Sequence, residues 1–225
     1  MFARLLFVTS LVVAPPLSAQ EAAQAQSRAT PEQIETAKAE ANRLIAAADA
    51  GDLFVNITGN ATPTVRHRAS GLICHFRGSP ETDRILIFPN STRGDDVGCA
   101  TRDPSVWVET TWYATRYTPM PTEEAILRDA MAAIRNRFPS ARPFEGEISS
   151  AEIEGVTPIS DGLVVETNMG TLFTMATVEH QDGWSFKARA SGPLEKAAAV
   201  SLFTTLNFSV MLTMRNIEPF ASAGE

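Results

Sequence analysis

Residues 163–191 constrain the fold of this chain more than any other stretch. They form three runs rich in β-branched and aromatic residues, separated by turns that contain Gly170 and Gly183. The dipeptide Asp182-Gly183 is typical of a tight hairpin, because glycine adopts positive φ without a Cβ clash. One face of the third run is apolar and carries Trp184, Phe186, Ala188 and Ala190. The stretch therefore predicts an antiparallel meander whose last strand has one polar face.

Two flanking segments are predicted to cover this meander, because three strands with an exposed apolar face are marginally stable alone. Residues 123–138 begin with acidic side chains and end with Arg135 and Arg137, which is the order that a helix dipole favours. The segment Leu194–Met214 carries no charge after Lys196 and predicts a long, mostly buried helix. The predicted fold class is α+β, with a twisted, mostly antiparallel sheet covered by helices.

The first residues have the features of a signal peptide. Arg4 supplies a short basic region, and residues 5–14 form an apolar run too short to span a bilayer. Ala19 precedes Gln20 at a position suited to cleavage. We therefore expect residues 1–19 to be removed and the mature protein to be periplasmic or secreted.

The remainder of the chain is expected to contain one domain. Its predicted parts are a disordered linker (20–30), a helix (31–50) that opens with a Thr30/Gln33 capping box, a single α+β domain (51–217) and a flexible tail (218–225).

The charge balance limits the classes of partner. The 225 residues carry a formal net charge of -7, whereas nucleic-acid and anionic-membrane binding need a basic face. The length of Leu194–Met214 allows a membrane span, and attachment through this segment is one alternative. Its serine and threonine residues and the lack of a basic cluster at its ends argue against membrane contact. An envelope protein or a small ligand is the expected partner.

The two cysteines, Cys74 and Cys99, are predicted to form a disulfide, since an even number of cysteines in an exported chain favours one. Cys74 shares a strand face with Leu72 and Phe76, and Cys99 shares one with Val97, so both sulfurs should point inward. We expect the bond to join neighbouring strands of one sheet. No second cysteine or histidine pair completes a zinc set, and no metal or cofactor is predicted.

Aromatic residues crowd the longest predicted strand, residues 105–117. Its alternation places Trp107 and Tyr113 on one face and Trp112 on the other, and we expect both faces of this central strand to be covered. Where such rings are exposed they form recognition surfaces. The candidate ligand-binding residues are Arg102, Trp107, Trp112, Tyr113, Arg116 and Tyr117.

The order of these elements supports a resemblance. A long strand, a helix, an antiparallel meander and a closing helix over residues 84–208 resemble the PsbP-like α/β/α sandwich of exported extrinsic proteins. The blocks at 71–74, 95–99 and 113–117 are similar to those of small exported alphaproteobacterial proteins of unassigned activity. The resemblance implies a binding or assembly module, although a fold does not determine a function.

Catalytic motifs are missing from the sequence, which has no nucleophile elbow, P-loop, dinucleotide fingerprint or His-Glu-x-x-His. The alternative enzymatic hypothesis is a hydrolase whose site includes Asp95, Asp96 and His75, since paired carboxylates and a histidine can transfer protons. His67 lies between two arginines, which suggests a solvated strand edge or an anion-binding patch. The sequence favours a non-enzymatic binding or envelope-assembly module.

Overall fold

The computed structural model describes residues 29–215 except positions 90, 104, 106, 151, 153, 154, 156 and 169. The predicted signal peptide, the predicted tail and residues 20–28 of the predicted linker lie outside these residues.

Three α-helices and ten strands are present in the described part of the chain. The helices are α1 (Pro31–Ala47), α2 (Glu123–Arg137) and α3 (Ala197–Met214), the last preceded by a 3₁₀ turn (Leu194–Lys196). A small sheet contains β1 (Phe54–Asn56), β2 (Thr64–His67) and β3 (Ile73–His75) in that order. A large sheet has the order β4-β5-β6-β10-β9-β8-β7. Its strands are β4 (Arg84–Ile87), β5 (Asp96–Asp103), β6 (Val108–Thr115), β7 (Arg142–Pro143), β8 (Ile159–Thr167), β9 (Gly170–Gln181) and β10 (Trp184–Pro193).

The predicted meander is formed by β8, β9 and β10. Gln181 pairs with Trp184, and the two residues between them have positive φ, +48° at Asp182 and +76° at Gly183. Such a two-residue loop matches the twist of the flanking strands. All pairs in both sheets are antiparallel, and helices cover them, so the chain has the predicted α+β class.

Helix α2 covers only one half of one face of the large sheet. Met131 and Ile134 of α2 pack against β8 and β9, where Leu163, Val165 and Ala176 are buried. The half of this face that belongs to β4, β5, β6 and β10 carries polar side chains. We call the side that α2 covers the α2 face.

The opposite face of the large sheet lies over the main core, and we call it the core face. The small sheet, α1 and α3 supply the rest of this core through Phe54, Leu72, Phe76, Leu44 and Phe208. The capping box of α1 is present as predicted: the Thr30 hydroxyl accepts from the Gln33 amide, and the Gln33 side chain accepts from the Thr30 amide.

The predicted disulfide between Cys74 and Cys99 is confirmed, with Cα atoms 6.2 Å apart. The expectation that it joins neighbouring strands of one sheet is wrong. Cys74 lies on β3 of the small sheet and Cys99 on β5 of the large sheet. Both side chains are buried in the layer between the sheets, so the bond ties the two sheets together face to face.

The aromatic strand differs from its prediction in length and in burial. Regular pairing spans Val108–Thr115 rather than 105–117, and Trp107 has a φ of +59°, outside the strand conformation. Trp112 on the core face is buried, whereas Glu109 on the α2 face is exposed. The strand is central in its sheet, but only one of its faces is fully covered, because α2 does not reach it.

Residues 144–148 form no strand. The chain instead pairs at Arg142–Pro143 with β8, and the amide of Phe144 donates to the carbonyl of Gly162.

Candidate functional site

The best-formed cavity lies on the core face, between the small sheet, strands β5 and β6, and helix α3. We call it the inter-sheet pocket. Its volume is about 560 Å³, which is the size of a small-molecule site. Its apolar wall consists of Ile57, Ile73, Val108, Trp112, Phe203, Val210, Met211 and Met214.

Strand alternation positions one wall of this pocket. Val108, Thr110 and Trp112 are successive core-face residues of β6, so all three point toward α3. The Trp112 ring stacks on Phe208 of α3 with centroids 6.0 Å apart, which fixes its orientation. The pocket lies where the small sheet and α3 cover β5 and β6 side by side.

Helix α3 has an unusual distribution of side chains. The face that packs on the sheet is rich in small polar residues, including Ser201, Thr204, Thr205 and Ser209. Thr204 and Thr205 donate to carbonyl oxygens one turn earlier, at 2.7 and 2.9 Å, so burial leaves these hydroxyls satisfied. The outer face carries a row of apolar residues that are 38–52% exposed, namely Leu202, Leu206, Val210 and Met214.

This outer row continues into the mouth of the inter-sheet pocket, because Val210 and Met214 also line it. The segment Leu194–Met214 is long and apolar enough to cross a bilayer, and half of it is buried against the protein. The segment is helical throughout the described residues, as its sequence predicts.

The charged residues of the lining lie at its more exposed positions, which we call the rim. Arg77 lies 3.7 Å from the Asp103 carboxylate and stacks over Phe203. Arg66 adds a second cation to the lining. Partial burial, and after it the charge of Arg77, lower the pKa of His75.

The contact between Thr64 and His75 is a structural one and does not form a nucleophile–base pair. The Thr64 hydroxyl donates to the carbonyl oxygen of Thr62 at 2.9 Å and lies 3.1 Å from the Nδ1 atom of His75. The Thr62 carbonyl oxygen and the His75 ring nitrogen both lie within hydrogen-bond distance of this hydroxyl, so the geometry does not single out an activated nucleophile.

The structure divides the six predicted ligand-binding residues among separate places. Trp112 lines the inter-sheet pocket. Arg102, Trp107 and Tyr113 line a second depression on the α2 face, which we call the arginine groove. Arg116 stacks over Trp184 and lies 3.9 Å from Asp95. It lines a third, shallow polar depression, which contains none of the other five predicted residues. Tyr117 lines none of these three cavities and is half-buried after the end of β6.

The residues of the alternative hydrolase site are not brought together. His75 lines the inter-sheet pocket, where neither aspartate is present. Asp96 lies on the α2 face and accepts from the Thr115 hydroxyl at 2.9 Å. Asp95 lies 3.9 Å from Arg116, just beyond the ends of β5 and β6. Alternation along β5 and the separation of the two sheets place the three groups in different environments.

His67 is buried rather than solvated, and this corrects the sequence interpretation. Its ring lies between Phe54 and Trp184, with centroids 5.1 and 5.6 Å away. Its Nδ1 atom is 2.9 Å from the Ser70 hydroxyl. Burial lowers its pKa to about 4, and the opposing influence of Asp95 is smaller.

Several pocket residues escaped the sequence interpretation, including Ile57, Ile73, Phe203 and Met211. Each reads as an ordinary core residue, and only the docking of α3 beside the small sheet leaves space between them. The sequence feature that could have indicated a pocket beside α3 is its mixture of serine, threonine and large apolar residues in an uncharged helix. Among the described residues, no cluster of three or more His, Cys, Asp or Glu side chains could hold a metal ion.

No family of known proteins and no curated protein sequence matches this chain. Two solved structures resemble it at 15% sequence identity. Cyanobacterial PsbP (CyanoP) from Synechocystis sp. PCC 6803 matches with a TM-score of 0.43 over 66% of this chain and 90% of its own. LpqN, involved in cell envelope biogenesis of Mycobacterium tuberculosis, matches with a TM-score of 0.32 over 59% of this chain and 83% of its own. Both likenesses concern the fold alone.

Proposed function

We propose that this protein is an exported, non-enzymatic binding module that holds an amphiphile in the inter-sheet pocket. The observation that carries the proposal is the pocket itself: a cavity of about 560 Å³ with a largely apolar wall, whose charged residues, Arg66, Arg77 and Asp103, are half-buried or exposed. A cavity with apolar walls and few polar groups is the usual form of a small-molecule site.

The walls favour an apolar body for the ligand. Trp112, Phe203 and Met211 offer rings and a flexible thioether, which adapt to an acyl chain or a flat apolar skeleton. Burial of such a body is driven by roughly 25 cal/mol for each Å² of apolar surface removed from water.

The rim favours an anionic head group. The lining carries Arg66, Arg77 and Asp103, which leaves one net positive charge, and His75 is neutral at pH 7 because its pKa is lowered. A carboxylate or phosphate head at this rim would gain charge-assisted hydrogen bonds while remaining in contact with water.

The apolar row of α3 supports the same ligand class. Leu206, Val210 and Met214 form a continuous surface that ends in the pocket mouth. An amphiphile could follow this surface into the cavity with little of its apolar part in contact with water.

Export is supported by the disulfide and by the N-terminal sequence. A buried bond between Cys74 and Cys99 persists in an oxidising compartment, such as the periplasm or the extracellular space. The absence of an assembled catalytic site around His75, Asp95 and Asp96 supports a binding role over the hydrolase alternative.

Titration of the delipidated protein with a dansyl-labelled undecanoic acid tests the proposal. We expect blue-shifted, saturable dansyl emission. The variant Val210→Asp should weaken binding at least about tenfold, because an uncompensated carboxylate in an apolar site costs more than the 1.4 kcal/mol of a tenfold change.

Leu202→Asp is the matched control, since Leu202 is an exposed apolar residue two turns earlier on α3 and does not line the pocket. Its affinity should remain that of the unaltered chain. Equal losses in both variants, or no saturable binding in the unaltered chain, would contradict the proposal. Circular dichroism checks that both variants keep the fold.

A further inference from the structure

The arginine groove lies on the α2 face, over the half of the large sheet that α2 leaves uncovered. It has a volume of about 550 Å³, and no residue that lines it also lines the inter-sheet pocket. The two cavities are on opposite sides of β5 and β6. Whatever occupies this groove is therefore independent of the amphiphile proposed above.

The groove is cationic, although the chain as a whole is acidic. Its lining contains the arginines Arg84, Arg102, Arg137 and Arg189 and one acidic residue, Glu109. The net charge of the groove is thus positive by three, while that of the whole chain is -7. Such a local reversal of sign attracts anions to one place on the surface.

Strand register spreads these cations across the sheet. Arg84 pairs with Ala100, Ala100 with Thr111, and Thr111 with Arg189, so all four lie in one row. Three strand spacings separate the two arginines, which places their Cα atoms roughly 14 Å apart. The small residues between them form the floor.

A second row carries Arg102 beside Glu109. These two are direct neighbours, so Glu109 offsets part of the charge of Arg102 and little of that of Arg84, which lies two strands away. Arg137 approaches from the end of α2. The arrangement presents guanidinium groups on several sides of one floor, a geometry that one anionic group alone does not fill.

The cations of the groove have few partners within the described residues. None of the four arginines takes part in an ion pair within 4.0 Å there. The Nε atom of Arg102 is buried without a hydrogen-bond acceptor. Burial lowers the pKa of Arg189; Tyr113 opposes this shift and the nearby Arg137 adds to it. A buried N–H group normally has a hydrogen-bond acceptor, so the unpaired Nε of Arg102 indicates that an acceptor is missing from the groove.

Aromatic rings complete the site. Tyr113 stacks against Phe88 at 5.9 Å, and Lys187 lies 4.5 Å from its ring centroid. Trp107 is 62% exposed and lies under Arg102, with 5.8 Å between the guanidinium carbon and the ring centroid. Rings at the edge of a cationic floor would contact the carbon skeleton of a ligand whose acidic groups reach the arginines.

We propose that the arginine groove is a second binding site, for a small organic anion that carries two or more carboxylate or phosphate groups. The separation of Arg84 and Arg189 requires more than one acidic group, and the guanidinium fork suits both acids. The volume is that of a small ligand, whereas a protein partner buries about 800 Å² on each side.

Tryptophan fluorescence of the mature chain tests the proposal, with citrate and inorganic tripolyphosphate as probes. Of the three tryptophans, Trp112 and Trp184 are buried, so a ligand in the groove should change the emission of Trp107. Saturable binding of citrate alone identifies a carboxylate site, and saturable binding of tripolyphosphate alone identifies a phosphate site. Calorimetry provides a second readout, and Trp107→Phe should remove the optical signal.

Arg84→Gln and Arg102→Gln should each weaken binding about tenfold or more, the loss expected of a hydrogen bond to a charged group. Arg128→Gln is the control, because it changes the net charge equally at an exposed position of α2 outside the groove. Equal losses in all three variants, no binding of either probe, or binding of a polyglutamate peptide alone would overturn the proposal. The amphiphile titration involves none of these residues, so either proposal can fail without the other.

Discussion

The indole ring of Trp112 lies nearly parallel to the ring of Phe208, at 12° between planes, and this contact joins β6 to α3. Trp112 is 8% exposed. The variant Trp112→Ala should lower the free energy of unfolding by about 3–5 kcal/mol, because it removes apolar burial and leaves a cavity. Urea unfolding measures this change.

Trp107→Ala is the control for that measurement. Trp107 is largely exposed, so its truncation should cost no more than about 0.5 kcal/mol. Comparable losses in the two variants would mean that Trp112 is not a core residue.

The Cys74–Cys99 bond closes a loop with a sequence separation of 25 residues and joins the two sheets. The double variant Cys74→Ala, Cys99→Ala should lose about 3 kcal/mol of stability through the gain in unfolded-state entropy. Thiol titration of the denatured, unreduced protein should find no free thiol. Two free thiols would contradict the bond and reopen a redox or metal role.

His67 should make stability depend on pH. Its pKa is about 4 in the folded state against an ordinary value of 6.5, so the unfolded state binds the proton more tightly between these values. The contribution is complete above about pH 6.5 and is lost as the pH falls toward 4, by about 3 kcal/mol in total. Unfolding measured at pH 7 and pH 4.5 should show this loss.

His67→Gln should reduce that dependence to the contributions of His75, whose pKa is also lowered, and of Glu179, which acts in the opposite sense. Burial, and then Glu123, raise the pKa of Glu179 to about 6 from 4.5. That group stabilises the fold at low pH, and its contribution falls as the pH rises through 6. A variant that keeps the full loss of stability of the unaltered chain between pH 6.5 and 4.5 would show that His67 is not its cause.

Arg215 connects the end of α3 to two turns. Its guanidinium donates to the Ser70 carbonyl at 3.1 Å and to the Gln181 side chain at 2.9 Å, and it pairs with Asp182. Arg215→Met should cost about 2–3 kcal/mol, because hydrogen bonds to a buried charge are lost and a buried carbonyl is left unpaired. Chemical denaturation measures it.

Arg93→Met is a comparison for an exposed ion pair. Arg93 pairs with Asp52 at 3.0 Å on the surface, where water screens the two charges, so its replacement should cost less stability than that of Arg215. A loss at Arg215 no larger than that at Arg93 would contradict the linking role of Arg215.

Removal of residues 1–19 is expected in the mature protein, with Gln20 as the new terminus. Intact-mass measurement of protein recovered from the periplasm or the medium checks this. A mass that retains Met1 would contradict export, and membrane fractions that hold all of the protein would favour attachment through Leu194–Met214.

The sequence by itself determined the local elements whose signals depend on few residues. The Asp182-Gly183 hairpin, the Thr30/Gln33 cap and the charge order of α2 were readable because turn and helix-end chemistry acts within a few positions. The α+β class followed from the same signals. The pairing of Cys74 with Cys99 was readable because only two cysteines exist.

The tertiary structure alone decided which faces of these elements are covered. Trp112 and Tyr113 are neighbours in sequence, yet one lines the inter-sheet pocket and the other the arginine groove. Strand alternation predicts that the two side chains point to opposite faces of the sheet, but it does not predict which layer covers each face. That outcome depends on contacts between residues far apart in the chain: α3 beside the small sheet on one side, and α2 over only half of the other. Both candidate sites are spaces left between such distant elements, and no local pattern in the sequence encodes a space.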